Sequence, residues 1–273
     1  MAPVRYVKPD LPANAFAGTA SYYARYRVPY PESLMDDLIE RAGITGAGRL
    51  LDLACGPGRI ALPLAPRFRE TWAIDLELEM VAAAQQEAER RGLAGIRWIV
   101  GKAEDLEADP ASFELITIGE AFHRLDQRLI GQRVLEWLSP RCCLAIVGCY
   151  GIVSGTETWQ LIVVDIVRKW TDRASASSDT SAKPGSGPAH NILVLQEAGF
   201  RDVENHSFVH GHEWTLESII GNLYSTSHCS KNVLGDQAEA FEADLVEALL
   251  AHDPSGHYQE QMRCGYTLGR RPS

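Results

Sequence analysis

The chain has no C-x-x-C pair and no evenly spaced set of cysteines. Its six cysteines, Cys55, Cys142, Cys143, Cys149, Cys229 and Cys264, therefore indicate neither a zinc site nor a disulfide framework. Several sit in apolar runs, where a thiol behaves as a small hydrophobe, so the expectation is a reduced, cytoplasmic protein without a resident metal. No apolar run is long enough to cross a bilayer, and MAPVRYVKPDLP lacks the apolar centre of a signal peptide. A basic face is also missing. Lys and Arg number 26 against 36 Asp and Glu, the formal net charge is -10, and the arginines are scattered. Gripping phosphates needs clustered positive charge, so nucleic acid and an anionic membrane are both disfavoured as partners. No internal repeat is visible.

What is present is ordinary globular composition, 45% hydrophobic and 23% charged over 273 residues. That suffices for one large α/β domain, or one domain with a cap. Strand and helix patterns alternate from about residue 49 to 150, which predicts a parallel sheet with crossover helices. RLLDLAC, TWAIDL, IRWIVG, FELITIG and CLAIVGCY read as five strands. RIALPLAPRF reads as a helix broken by Pro63 and Pro66, and LEMVAAAQQEAERRG as a strong helix ended by Gly92. RLIGQRVLEWL, residues 157–173, NILVLQEAGF, LESIIGNLYSTS and AEAFEADLVEALLAH are further helical patterns. RDVENHSFVH and QMRCGYTLGRR are strand-like. The small-polar stretch ASASSDTSAKPGSGPA has little to bury and predicts a mobile loop near residues 174–189. Residues 1–48 and 151–235 are the two candidate cap elements, leaving 236–273 for a last helix and strand.

The chemistry concentrates in RLLDLACGPGRIALPLA, residues 49–65, an apolar strand running into a glycine turn and then a helical pattern. Gly56-Pro57-Gly58-Arg59-Ile60-Ala61 fits G-x-G-x-x-A, the dinucleotide fingerprint, and Asp75 follows at the end of the second strand, where a carboxylate accepts from ribose hydroxyls. Nicotinamide and adenosyl ligands would both use it. Asp52 at the mouth of the turn separates the two. A dinucleotide lays two phosphates over the first turn, where a carboxylate repels them. S-adenosylmethionine carries a sulfonium and an ammonium there, which Asp52 would attract directly or through water.

LDLACGPGR resembles motif I of the class I S-adenosylmethionine-dependent methyltransferases, whose pattern is Asp/Glu-x-Gly-x-Gly-x-Gly, with Ala54 in place of the first glycine. AIDLELEM resembles motif II, which implies Asp75 on the ribose with Leu76 and Met80 beside it. GKAEDL resembles the next loop, which implies Ala103 and Glu104 or Asp105 at the adenine, and FELITIGEAFHRLD resembles the fourth strand and its loop. The likeness looks closest to the small-molecule "methyltransferase type 11", ubiquinone-biosynthesis-like group. It departs at Pro140-Arg141-Cys142-Cys143, where that group has Pro-Gly-Gly, and at Phe122-His123-Arg124, where it often has Phe-His-Trp.

The resemblance implies a Rossmann-like, seven-stranded, mainly parallel sheet with helices on both faces, a partly helical cap, and a last strand around Cys264–Arg270 antiparallel to the rest. Residues 49–150 would form the cofactor-binding core. The implied activity is methyl transfer from S-adenosylmethionine to an oxygen or nitrogen of a small metabolite, in a monomer or homodimer. A dehydrogenase using the turn for NAD(P), and a non-catalytic S-adenosylmethionine-binding protein, are the rival readings.

Methyl transfer onto a hydroxyl or ammonium needs a proton acceptor. His123, directly after the fourth strand, is the candidate base, against a purely structural histidine. Glu120 would hold the methionine ammonium or a cationic acceptor, or be a solvated loop acid. SYYARYRVPYP groups Tyr22, Tyr23 and Tyr26 on a possible helical face that would fold over the cofactor as a lid. Arg27 would then pair with the methionine carboxylate, with simple helix packing as the alternative for Tyr22 and Arg27. His206, His210 and His212 alternate along a strand-like run, but no acidic ligand shares their pattern, so a polar cap surface is the expectation. Tyr224, Ser225, Thr226 and Ser227 line the acceptor pocket or stop a helix, the latter being favoured.

Overall fold

A computed structural model describes residues 18–171, 187–227 and 229–273. The chain enters through two helices, α1 (Ala20–Tyr26) and α2 (Glu32–Ala42). RLLDL is buried along almost its whole length, as suits a central strand covered on both faces, and forms β1 (Arg49–Leu53). The proline-broken stretch gives only one turn of helix, α3 (Ala61–Leu64), followed by a 3-10 turn over Ala65–Arg67. Then come β2 (Glu70–Asp75), α4 (Leu78–Arg90), β3 (Ile96–Val100), β4 (Phe113–Gly119), α5 (Gln127–Trp137) and β5 (Leu138–Tyr150). The remainder supplies α6 (Thr158–Thr171), α7 (Pro188–Ala198), β6 (Arg201–Thr215), α8 (Leu216–Tyr224), α9 (Lys231–Leu234), α10 (Ala238–His252) and β7 (His257–Arg270).

The sheet has seven strands in the order β3-β2-β1-β4-β5-β7-β6. The first five are mutually parallel, and β7 runs antiparallel between β5 and β6. Strand order reverses between β1 and β4, so the carboxyl ends of these strands open the crevice where an α/β sheet takes its ligand.

Alternate residues of the strands feed two cores. Leu51, Leu53, Ile116, Leu144 and Ile146 pack with Ile130 and Val134 of α5 and Leu195 of α7. Leu50, Leu115, Ala145 and Val147 pack on the other face with Leu34 and Leu38 of α2 and Leu64 of α3. A third cluster joins Trp159 and Val163 of α6, Ile219 and Leu223 of α8, and Phe241 and Leu245 of α10 to Trp214 and Met262 on the outer ends of β6 and β7. This is the helical cap, built on a strand pair that outgrows the rest of the sheet.

Three expectations change, while Tyr224 to Ser227 stop a helix as expected. β6 belongs to the sheet, although the sequence groups its residues with the cap, because thirteen register pairs tie it to β7. Cys149 and Cys264 stand opposite each other on β5 and β7 and form a disulfide, which their separation of 115 residues hides from any spacing argument. His206, His210 and His212 lie on one face of β6, but as sheet residues rather than as cap surface. The His206 ring lies 5.0 Å from that of Tyr266, and the His212 ring meets Trp214 edge-on at 4.5 Å. Tyr224 to Ser227 end α8, the Ser225 and Thr226 hydroxyls donating back to Asn222 and Leu223 carbonyls. The predicted mobile loop lies outside the described residues from 174 to 186, as do residues 1–17 of the predicted lid. Among the described residues no helix is long and apolar enough to cross a membrane, and no cluster of three metal-ligating side chains occurs.

Candidate active site

β1 delivers the chain to a turn in which Ala54, Gly56 and Gly58 all adopt positive φ, at 54°, 53° and 83°. Ala54 stands in the left-handed region with a Cβ, a strain of about 1 kcal/mol that glycine avoids. Gly56 has open space where a side chain would project, with no atom within 4 Å. At Gly56 the backbone is therefore bare.

Asp75 ends β2 with both carboxylate oxygens engaged by backbone: Gly56 N–H donates at 2.7 Å and Glu77 N–H at 2.9 Å. Each oxygen keeps a second lone pair for an outside donor. Burial raises its pKa, opposed by those backbone hydrogen bonds. Beside it, Leu76 is 48% exposed, and Val100, the register partner of Asp75 on β3, is 50% exposed. Two bare apolar side chains flanking a carboxylate at the strand ends suit an adenosyl group, ribose on the acid and purine on the aliphatics. Ala103 is buried in the 3-10 turn that follows β3, and Asp105 is exposed at its end.

The remaining predicted contacts are rearranged by packing. Asp52 is 1% exposed and points inward: it accepts from Thr117 Oγ1 at 2.7 Å and from the Ala61 N–H at 3.1 Å. Burial lifts its pKa to about 7 against the pull of those two hydrogen bonds. With both oxygens engaged it braces the glycine turn from beneath, where the sequence suggests a carboxylate attracting a cation directly or through water. Met80 is buried within α4. Glu104 turns to the loop after β4, accepting from the Asp126 N–H at 3.0 Å, because its neighbour Arg133 pins its carbonyl to α5. Tyr22 stacks on Tyr26 and meets Tyr224 edge-on, and Arg27 donates to Ser225 Oγ at 2.8 Å while its guanidinium lies 4.9 Å from the Tyr23 ring centroid, so both are engaged by protein groups.

Glu120 is occupied as well. It sits at positive φ, 53°, directly after β4, and its carboxylate receives Arg59 Nη1 at 2.5 Å. Arg59 was not read as a site residue from the sequence, although it lies in the glycine turn itself. Its guanidinium also donates to the Val28 carbonyl and lies 4.3 Å from the Tyr30 ring centroid. The N-terminal segment is thereby strapped across the turn. Further along, Gly18 N–H donates to Glu79 on α4, and Gly221 lets Tyr26 pack directly on α8. Arg59 ties the N-terminal segment to the glycine turn, and Tyr22, Tyr26 and Arg27 tie it to α8 and its end.

His123 lies in a 3-10 turn, Phe122–Arg124, that begins two residues after β4. It opens onto a cleft of about 240 Å³ beyond the ends of β4 and β5, with Asn191 from α7, Asn205 and Ser207 from β6, and Thr267 from β7 among its other walls. None of these four is singled out by the sequence; strand pairing brings Asn205, Ser207 and Thr267 together, and the packing of α7 adds Asn191.

A family described as a methyltransferase domain matches residues 50–141. Nocamycin O-methyltransferase of Saccharothrix syringae is 27% identical over 262 residues, covering 90% of this chain and 92% of that protein. An uncharacterized methyltransferase of Mycobacterium tuberculosis is 25% identical over 241 residues, covering 88% of this chain and 87% of its own. The crystal structure of the YcgJ protein from Bacillus subtilis shares the fold with a TM-score of 0.58 at 16% identity, over 89% of this chain and all of that one.

Proposed function

From the premise that this chain is a class I S-adenosylmethionine-dependent methyltransferase, we propose that it moves the methyl group to an oxygen or nitrogen of a small metabolite. One observation carries this reading. Open backbone at Gly56 beside Asp75 and the cleft bordered by His123 both lie at the carboxyl ends of the strands, linked by the Arg59–Glu120 pair. The first compartment fits S-adenosylmethionine, with the Asp75 oxygens toward the ribose, Leu76 and Val100 along the purine, and Ala103 and Asp105 at its rim. When bound there, that cofactor would supply an electrophilic methyl group on a sulfonium. The second compartment would take the acceptor. His123 would receive the proton of an acceptor hydroxyl or ammonium, while the strap held by Arg59 keeps water from the turn.

An antiparallel β7 between β5 and β6 argues against the dehydrogenase alternative, whose doubly wound sheet runs 3-2-1-4-5-6. A natural-product acceptor is supported only by the name of the Saccharothrix relative. The test is calorimetric titration with S-adenosylmethionine and with NAD, followed by transfer of a labelled methyl group into a metabolite panel. Binding of the first with label transfer is expected. Preferential NAD binding, or binding without any transfer, would overturn the proposal.

A further inference from the structure

The floor of the cleft beside His123 is unusual. Gly148 lies inside β5, in register with Gly265 on β7, so two adjacent positions of the sheet carry no side chain. Glycine in a strand interior costs stability and often marks a place where a ligand or another backbone approaches closely. Gly265 has such a cause within the fold: a side chain there would strike the His206 carbonyl. Gly148 has none. A Cβ on it would meet no atom within 4 Å and would project into the cleft that Gly148 lines. The space above Gly148 is kept open by the sequence and not filled by the fold.

The walls have a distinct chemistry. Asn205 and Ser207 occupy alternate positions of β6, paired with Thr267 and Gly265, and so share one face of the sheet. Asn191 adds an amide from the first turns of α7. These are neutral donors and acceptors. Among the described residues bordering the cleft, the carboxylate of Glu120 is already answered by Arg59. A charged acceptor entering here would lose hydration without gaining a counter-charge, which costs several kcal/mol, whereas amides and hydroxyls satisfy neutral polar groups well.

We infer that the acceptor is an uncharged, hydroxylated, planar ring compound lying flat on the bare strip at Gly148, with Asn191, Asn205 and Ser207 binding its polar edge and His123 at the reacting hydroxyl. This rests on the methyltransferase reading and narrows it to O-methylation of neutral ring hydroxyls.

The test uses the full chain saturated with S-adenosylhomocysteine and three probes of one shape: 2-naphthol, 2-naphthoate and 2-naphthylmethylammonium. Titration at neutral pH is expected to show 2-naphthol binding at least tenfold more tightly than either ion. Gly148→Leu, which fills the floor, is expected to weaken 2-naphthol at least tenfold while leaving S-adenosylhomocysteine affinity unchanged. Should that variant fail to fold, Asn191→Leu at the rim of the cleft carries the same expectation. Equal or tighter binding of a charged probe overturns the inference, as does unaltered 2-naphthol binding in a folded Gly148→Leu. Failure of the wild-type chain to bind S-adenosylhomocysteine would overturn the underlying methyltransferase reading, and this inference with it.

Discussion

Arg59 and Glu120 join the glycine turn after β1 to the loop after β4 across 2.5 Å, with side chains only 14% and 22% exposed. The same guanidinium holds the Val28 carbonyl, so one residue ties the glycine turn, the loop after β4 and the N-terminal strap together. Removing one partner of such a pair leaves a poorly solvated charge behind. Glu120→Gln should therefore destabilise the fold by about 3 kcal/mol in chemical denaturation. Arg59→Ala should also release the strap, read as faster amide exchange at residues 26–30. An unaltered exchange rate there would remove Arg59 from the lid.

Ala54 occupies a position at φ 54° where glycine is favoured. Ala54→Gly should stabilise the protein by up to about 1 kcal/mol, less the extra freedom glycine gives the unfolded chain. Calorimetry should show the melting temperature rising by about 2 °C. A fall would mean that the alanine methyl contributes packing that outweighs its backbone strain.

Asp52 titrates near 7 when folded and near about 3.9 when unfolded. The folded state thus binds the proton more tightly. Stability from this group is full below about pH 4 and is lost as pH rises through 7. Asp52→Asn removes that dependence. Its stability relative to the wild type should climb between about pH 4 and 7, by at most about 4 kcal/mol, and then level off. Denaturation curves for both proteins across that range measure the difference, and a flat difference would contradict the buried, protonatable state.

Asp75→Asn keeps one acceptor and loses the charge facing the proposed ribose position. Affinity for S-adenosylhomocysteine should fall by about 10- to 100-fold, as for a hydrogen bond to a charged group. Circular dichroism should remain that of the folded protein. An unchanged affinity would move the ribose elsewhere.

His123→Ala should lower methyl-transfer turnover by about a hundredfold or more where chemistry limits the rate, with S-adenosylhomocysteine affinity intact. Turnover equal to the wild type would leave His123 a wall residue only.

Local pattern carried much of this protein. The alternation from residue 49 to 150 specified five strands and their crossovers, because period-2 and period-3.6 burial are written in neighbouring residues. Pro63 and Pro66 announced the short α3, since a missing N–H is a local fact. The turn at 54–58 and Asp75 were legible because turn chemistry and an acid at a strand end are local too.

Tertiary structure decided the rest. Asp52 has the same neighbours in sequence whether it faces a ligand or the core; Thr117, 65 residues on, and the Ala61 N–H hold it inward. Nothing near Glu120 in the sequence engages it; its partner Arg59 lies 61 residues earlier and reaches it only in the folded chain. The cleft exists only because β6 and β7 pair over thirteen positions and bring Asn205, Ser207 and Thr267 beside Gly148. Sequence sets what a residue prefers within a few neighbours, whereas hydrogen bonds and ion pairs between distant segments depend on which surfaces meet when the chain closes on itself.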